Sequence, residues 1–449
     1  MKTGYDVIIV GAGVAGLSAA CELSKQDLSI LMVEARDRIG GRVYTERDQH
    51  LDAPIEFGAE FVHGKPAEIW DRSKDFAKTL IEAEGDHWCS SINGLSRCDF
   101  FDQVNDILKK MSDKSRDESF SEFLARCWPN AETDPELEAA KNHATGYVSG
   151  FNAADPDLVG VHWLVESIRA EERIEGDRAF RPQNGYHELV ENMEKDLRGM
   201  RGAIRTNAIV EAIEWKADSA QVTVKQAEDT EVLDAGKVLV TVPLAVLQAA
   251  PGLRGAIRFS PQLPQKKLRA LEKMEMGKVI RVVFRFRSAF WKNISTPQEK
   301  GHALARLSFL FTQEELFPTW WTRMPIELPM ITGWAPFRGA EQFSGRSESY
   351  VVQEGLAALS RVLHISHKDI EREFEQAYFH DWQNDPFARG AYSYGKVGSD
   401  GSQLALAESV DGTVFFAGEA TDISGNNGTV HGAIASGLRA AKEIAESMY

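Results

Sequence analysis

The sequence predicts a mixed α/β (α+β) fold: a parallel sheet with helices, discontinuous along the chain, and an inserted domain of mixed sheet and helices. Three observations carry this. An apolar, β-branched run, Val7 to Val10, breaks at Gly11-Ala-Gly13-Val-Ala-Gly16, resumes as an Ala/Leu-rich helix from Leu17 to Ser24, and is followed by a second apolar run, Ile30 to Val33. Near the other end, Thr413 to Glu419 reads as a buried strand, and the small-residue stretch from Gly428 onward as a helix. Between them lie helix-compatible segments and strand-like alternations that belong to no such repeat.

The opening unit has the order of a dinucleotide site. Gly11 makes the tight turn, Gly13 lets the backbone approach a pyrophosphate, Ala15 belongs to the same cofactor-binding turn, and Gly16 lets helix and strand pack closely. The helix N-terminus then presents unpaired N–H groups and a positive dipole end to phosphate. Glu34 closes the second strand, at the distance where an acid accepts both ribose hydroxyls and repels a 2′-phosphate; Ala35 and Arg36 follow it. An isolated glycine motif would be an ordinary turn; strand, turn, helix, strand and acid in sequence are a Rossmann-like unit. Gly40-Gly41-Arg42 narrows the cofactor to FAD, because two more glycines bring N–H groups near the pyrophosphate and the Arg42 fork can bridge it.

Farther along, Leu80 to Arg198 is mostly helix-compatible, with turn signals at Pro129, Pro135, Asp155-Pro156 and Gly176. Ala203 to Trp215, Gln221 to Lys225, Lys237 to Val242 and Val279 to Phe286 read as strands, and Glu348 to Leu363 as a helix. These assign residues 1–80, 203–270 and 385–449 to an FAD-binding domain and 81–202 and 271–384 to a substrate domain.

With 449 residues the chain exceeds the size at which one hydrophobic core stops growing. A net charge of −16 argues against nucleic acid or an anionic membrane as partner, and favours the approach of small cations. No run is long enough for a membrane span, and neither a secretory leader nor a C-terminal anchor is evident. The four cysteines, Cys21, Cys89, Cys98 and Cys127, form no metal-ligand spacing and read as reduced thiols of a cytoplasmic protein, monomeric or homodimeric.

Taken together, Val10 to Gly16, Glu34 to Arg42, Phe57-Gly-Ala-Glu-Phe-Val-His-Gly64, Phe290-Trp291, Asp385-Pro-Phe-Ala-Arg-Gly-Ala-Tyr392, Phe415-Phe-Ala-Gly-Glu419 and Thr429-Val-His-Gly-Ala433 resemble the flavin-containing amine oxidases. Within that family they look most like the polyamine oxidase and lysine demethylase branch. The resemblance implies an enzyme that oxidises a C–N bond of a monoamine or polyamine by hydride transfer to flavin N5. Oxygen then reoxidises the flavin, giving hydrogen peroxide, and hydrolysis of the imine gives an aldehyde. It further implies that Glu34 holds the ribose, Arg42 the pyrophosphate and Val210 the adenine side. Gly58, Ala59 and Glu60 would line the flavin ring, Gly418 and Glu419 the ribityl end, and Thr429 and Val430 its pyrimidine edge.

Three positions depart from the family. Ala391 replaces the cysteine that tethers flavin in some members, which implies noncovalent FAD. Tyr392 matches one cage tyrosine, but Thr429 stands at the other, leaving Trp382, Trp320 or Trp321 to complete the cage. Arg281 occupies the place of a lysine that holds a water at N5, while Lys278 falls on the opposite strand face. His63 is a candidate partner for substrate nitrogen, with a packed loop histidine as the alternative, and His431 reads as a structural hydrogen-bonder. Competing readings are an amine dehydrogenase with poor oxygen reactivity, an L-amino-acid oxidase clamping carboxylate with Arg281 or Arg389, a desaturase-like flavoprotein with an apolar tunnel, which the mean hydropathy of −0.31 does not favour, and a flavin-bound scaffold with a degraded site. No tower-like insertion or chromatin module is visible, which argues against histone demethylation.

Overall fold

The computed structural model describes residues 4–130, 133–197, 202–296, 303–313 and 316–448. Two large sheets organise it. In the first, Gly202–Arg205, Ile30–Val33, Tyr5–Val10, Asp229–Val240 and Val414–Phe416 run parallel, each strand paired with the next. Ser219–Gln226 and Ile209–Lys216 extend it as an antiparallel meander from the other half of the long Asp229–Val240 strand. The β-branched runs are buried on both faces, as a parallel sheet covered by helices requires. The helices Val14–Leu23 and Val430–Glu446 pack together on one face, so the two ends of the chain meet.

The second sheet has seven strands in the order Phe374–Phe379, Val279–Phe286, Met330–Pro336, Thr319–Trp321, Leu307–Phe311, Asp86–Ser91 and Gly94–Arg97. Val279–Phe286 is buried throughout. Its even positions Ile280, Val282, Phe284 and Phe286 enter a core beneath the helix Glu348–Val362. The odd face carries Arg281 and Arg285 against buried carboxylates. Four helices, Phe100–Leu108, Phe120–Cys127, Pro135–Phe151 and Val161–Glu172, form a separate apolar layer.

Three expectations need correction. The segment beginning at Leu80 is not helical throughout: Leu80–Glu82, Asp86–Ser91, Gly94–Arg97 and Ala179–Pro182 are strands, and Arg198 lies outside the described residues. Leu80–Glu82 pairs with Ala179–Pro182 and Asp86–Ser91 with Leu307–Phe311, partners far away in sequence. The run Ala203 to Trp215 is two strands, because Asn207 takes a left-handed φ of 54° and turns the chain between them. Cys89 and Cys98 are not reduced thiols but a disulfide: the hairpin sets their Cα atoms 5.7 Å apart, inside the usual bridging range of about 4.4–6.8 Å. Cys21 and Cys127 are free. Among the described residues no helix is long and apolar enough to cross a membrane.

Candidate active site

A cavity of about 1340 Å³ opens where the parallel sheet, the second sheet and the helical layer converge. That exceeds the roughly 300–1,000 Å³ of a pocket for one small ligand, so a dinucleotide and a substrate both have room. Of the expected cofactor residues, Gly11, Gly13, Ala15, Glu34, Ala35, Arg36, Gly41, Arg42, Gly58, Ala59, Glu60, Val210, Gly418, Glu419, Thr429 and Val430 line it. Gly16 does not. A Cβ there would stand 2.2 Å from the Gly11 carbonyl, so its role is the close helix–strand contact.

The cradle end is built from backbone. No side chain caps the Val14–Leu23 helix and its first turn holds no acid, leaving its N–H groups for an anion. A Cβ on Gly13 would meet nothing nearer than the Gly41 Cα at 3.9 Å, so a side chain there would fill the cradle; Gly40 donates to the Ala12 carbonyl and closes it. The Glu34 carboxylate is aimed by N–H groups of Ala12 (2.8 Å) and Arg36 (2.9 Å). The Arg36 side chain pairs with Asp385 at 2.8 Å and keeps a longer ion pair with Glu34, at 3.7 Å. Although burial opposes it, the His380 hydrogen bond and the Arg36 charge hold the Asp385 carboxyl well below the usual range. Nη1 of Arg42 donates to the Ala391 carbonyl and to Glu419, whose other oxygen accepts from the Ser393 hydroxyl and the Gly428 N–H. Thr429 caps the closing helix by accepting from Gly432 N–H, so Val430 and His431 begin the helix at the cavity wall. These residues fit FAD: bare backbone for the diphosphate, an acid for the ribose, a helix start for the ring.

The opposite wall is built from side chains. Arg281 is buried and donates to Glu60 and, at 2.8 Å, to the Gly58 carbonyl. Glu60 also accepts from Arg181 (2.9 Å) and from the Trp321 indole (2.9 Å). Burial alone would raise the Glu60 carboxyl; the guanidiniums of Arg281, Arg181 and Arg323 outweigh it and bring the value to about 2. Arg281 is thus no surface arginine of an alternating strand, whereas Lys278 is exposed and paired with Glu341. Arg389 does not line the cavity; it donates to the Arg254 carbonyl.

Tryptophans sort by strand face. Trp320 points into the core against Phe284 and Phe317, while Trp321 faces the cavity with Phe61, Phe309 and Trp334. Trp382 lines the cavity but is tied to the Phe57 carbonyl and flanked by Arg36 and Arg38, on the Glu34 side. Tyr392 donates to the Phe151 carbonyl at 2.6 Å, and Phe151 packs on His63 and Tyr147. Burial pushes the His63 imidazole down to about 4. His431 is not the expected structural hydrogen-bonder: its Nε2 is buried without a partner, and burial with the neighbouring His63 holds it near 3. Arg181, Phe61, Tyr147, Phe151 and Glu171 escaped the sequence reading. Only Arg181, a charge inside the short strand Ala179–Pro182, left a signal.

The family model described as flavin containing amine oxidoreductase matches residues 86–445, and that of an NAD(P)-binding Rossmann-like domain matches residues 9–77. Human lysine-specific histone demethylase 2 is 28% identical over 477 residues, covering 98% of this chain and 53% of that protein. Rice (Oryza sativa subsp. japonica) polyamine oxidase 4 is 26% identical over 464 residues, covering 98% of this chain and 88% of its own. The chain thus spans about half the length of the demethylases it matches. In fold it is similar to putrescine oxidase bound to putrescine (TM-score 0.77, 20% identity, 98% and 99% of the two chains) and to cyclohexylamine oxidase from Brevibacterium oxydans (TM-score 0.77, 20% identity, 99% of each).

Proposed function

Because the chain belongs to the flavin containing amine oxidoreductases, we propose that it oxidises the C–N bond of a primary or secondary amine, with FAD held noncovalently. The observation that carries this reading is one continuous cavity with a bare-backbone cradle at one end and an aromatic wall at the other. When bound, FAD supplies the two-electron acceptor, which O2 regenerates with release of hydrogen peroxide. Residues 1–80, 203–270 and 385–449 hold it, and 81–202 and 271–384 shape the substrate side. Ala391, in place of a cysteine, leaves no nucleophile to tether the ring.

The protein's part is positioning and electrostatics. An alkylammonium has a pKa of about 10.4, and the wall of Phe61, Phe309, Trp321 and Trp334 disfavours its charge, releasing the reactive free base. His63 is too weak a base to keep the substrate's proton; held neutral, it accepts a hydrogen bond from the amine N–H. Tyr392, anchored through its hydroxyl, offers its ring as one side of the amine site. Arg281 sets a fixed positive charge beside Gly58 and so favours negative charge developing there. The oxidised C–N bond, an iminium, is hydrolysed to an aldehyde.

The amino-acid oxidase reading requires a cation free to clamp a carboxylate. Each arginine lining the cavity is instead paired: Arg36 with Asp385, Arg42 with Glu419, Arg169 with Asp113, Arg178 with Glu82 and Arg281 with Glu60. Peroxide release on addition of spermine or benzylamine, and none with L-amino acids, is the expected outcome. Peroxide from L-amino acids alone would reverse the assignment. Amine-dependent loss of flavin colour without peroxide would make the protein a dehydrogenase.

A further inference from the structure

Off the main cavity, at the ends of helices Pro135–Phe151 and Val161–Glu172, lies a recess of about 10 Å³. That is the space of about one water molecule. Leu108, Tyr147, Asn152, Ser167, Ile168 and Glu171 line both the recess and the main cavity, so Asn152 and Glu171 are also part of the main cavity's wall. Oδ1 of Asn152 is buried there without a hydrogen-bond partner. Among the described residues, no hydrogen bond or ion pair reaches the Glu171 carboxylate or the Tyr147 hydroxyl. The cavity's arginines all have counter-ions, whereas this acid has none, and burial alone pushes its carboxyl up to about 7.

The group that completes such a recess is small and rich in donors. An ammonium is close to water in size, carries three N–H donors and has no lone pair to conflict with carboxylate and amide oxygens. The Tyr147 ring, stacked on Phe151 at 5.0 Å, adds an aromatic face that attracts a cation. The recess also connects to the reaction end. Phe151 packs against His63 at 5.1 Å, and its carbonyl anchors Tyr392. A chain whose reacting nitrogen lies by Tyr392 can therefore run past Phe151 and place a second nitrogen at Glu171.

We infer that this recess binds the distal ammonium of a diamine or polyamine, with Glu171 as its counter-ion, and so selects substrates that carry a second cation. The inference rests on the amine-oxidation reading. It is tested on the FAD-loaded protein by anaerobic mixing with α,ω-diamines of three to eight carbons and with n-alkylamines of matched length, reading the half-saturating concentration for loss of flavin colour. The best diamine is expected to half-saturate about tenfold below its matched monoamine. Glu171→Gln should abolish that ratio through half-saturation rather than through the limiting rate. Asn152→Leu, which fills the recess but keeps the carboxylate, should shrink the same ratio. Equal half-saturation for both series in the unaltered protein, the behaviour of a recess that holds only water, overturns the inference. So does a Glu171→Gln protein that keeps the full diamine preference. If no amine of either series bleaches the flavin, the amine-oxidation reading itself fails and the subsite goes with it.

Discussion

The two ends of the cavity are made in opposite ways. At the cradle, Gly11 to Gly16 and Glu34 to Arg42 lie on one βαβ unit, and backbone N–H groups do most of the work. At the facing wall, Glu60 meets Arg181 across 121 residues and Arg281 across 221, and charged side chains do most of the work. At Gly11 and Gly16 the cradle tolerates no added Cβ, whatever the side chain's chemistry. A wall of paired charges tolerates changes of shape but not the loss of a partner. Breaking each end should therefore fail in its own manner.

The largest effect belongs to the cradle. Gly16→Val drives a Cβ to 2.2 Å from the Gly11 carbonyl and pries the helix from its strand. The expected product is insoluble, or colourless after incubation with FAD, as read from the 450 nm-region absorbance of the purified protein. A yellow, soluble Gly16→Val would remove the packing argument. Next comes Glu60→Gln at the wall, which leaves Arg181 and Arg281 buried without a carboxylate. Loss of one partner of a buried ion cluster costs about 3–5 kcal/mol, measurable by urea unfolding. A loss below about 1 kcal/mol would mean that the guanidiniums find water.

Smaller effects sharpen the contrast. Arg281→Met removes a fixed charge without opening the cradle. Stopped-flow reoxidation by oxygen should slow by about tenfold to a hundredfold while reduction by amine changes little. Equal slowing of both steps, or of neither, would take Arg281 out of that role. The mildest is a pH effect. Burial holds His431 near 3 in the folded chain, below its unfolded value, so the unfolded chain alone takes up a proton as pH falls through about 6.5. Its share of stability is intact above that pH and is lost on acidification, by about 2 kcal/mol at pH 5. His431→Leu should reduce the stability difference between pH 7.5 and pH 5 by about that amount. An unchanged difference would place the proton elsewhere.

What could be read from sequence followed the same division. The glycine cradle, Glu34 and the closing helix were legible because their partners fall within one local unit or repeat its pattern. Trp320 and Trp321 were legible as a pair facing opposite ways, since strand period alone decides that. Arg281 was placed by the family resemblance, but its burial was not, because it depends on Glu60 reaching it from the loop between Ala53–Glu56 and Val62–His63. The Cys89–Cys98 bridge was missed because Asp86–Ser91 and Gly94–Arg97 join their sheet through Leu307–Phe311, more than two hundred residues later. Glu171 and Tyr147 left no trace in sequence. An acid and a tyrosine on amphipathic helices look solvated until a third element closes over them.

The central claim is that bound FAD and an amine react within this one cavity. Anaerobic mixing of the FAD-loaded protein with a panel of amines, followed at the flavin's visible maximum, tests it most directly. The account predicts full loss of colour within the enzyme's turnover time for at least one amine, with an aldehyde formed in equal amount. A protein that binds FAD yet keeps its colour with every amine, or that never takes up the flavin, would contradict it.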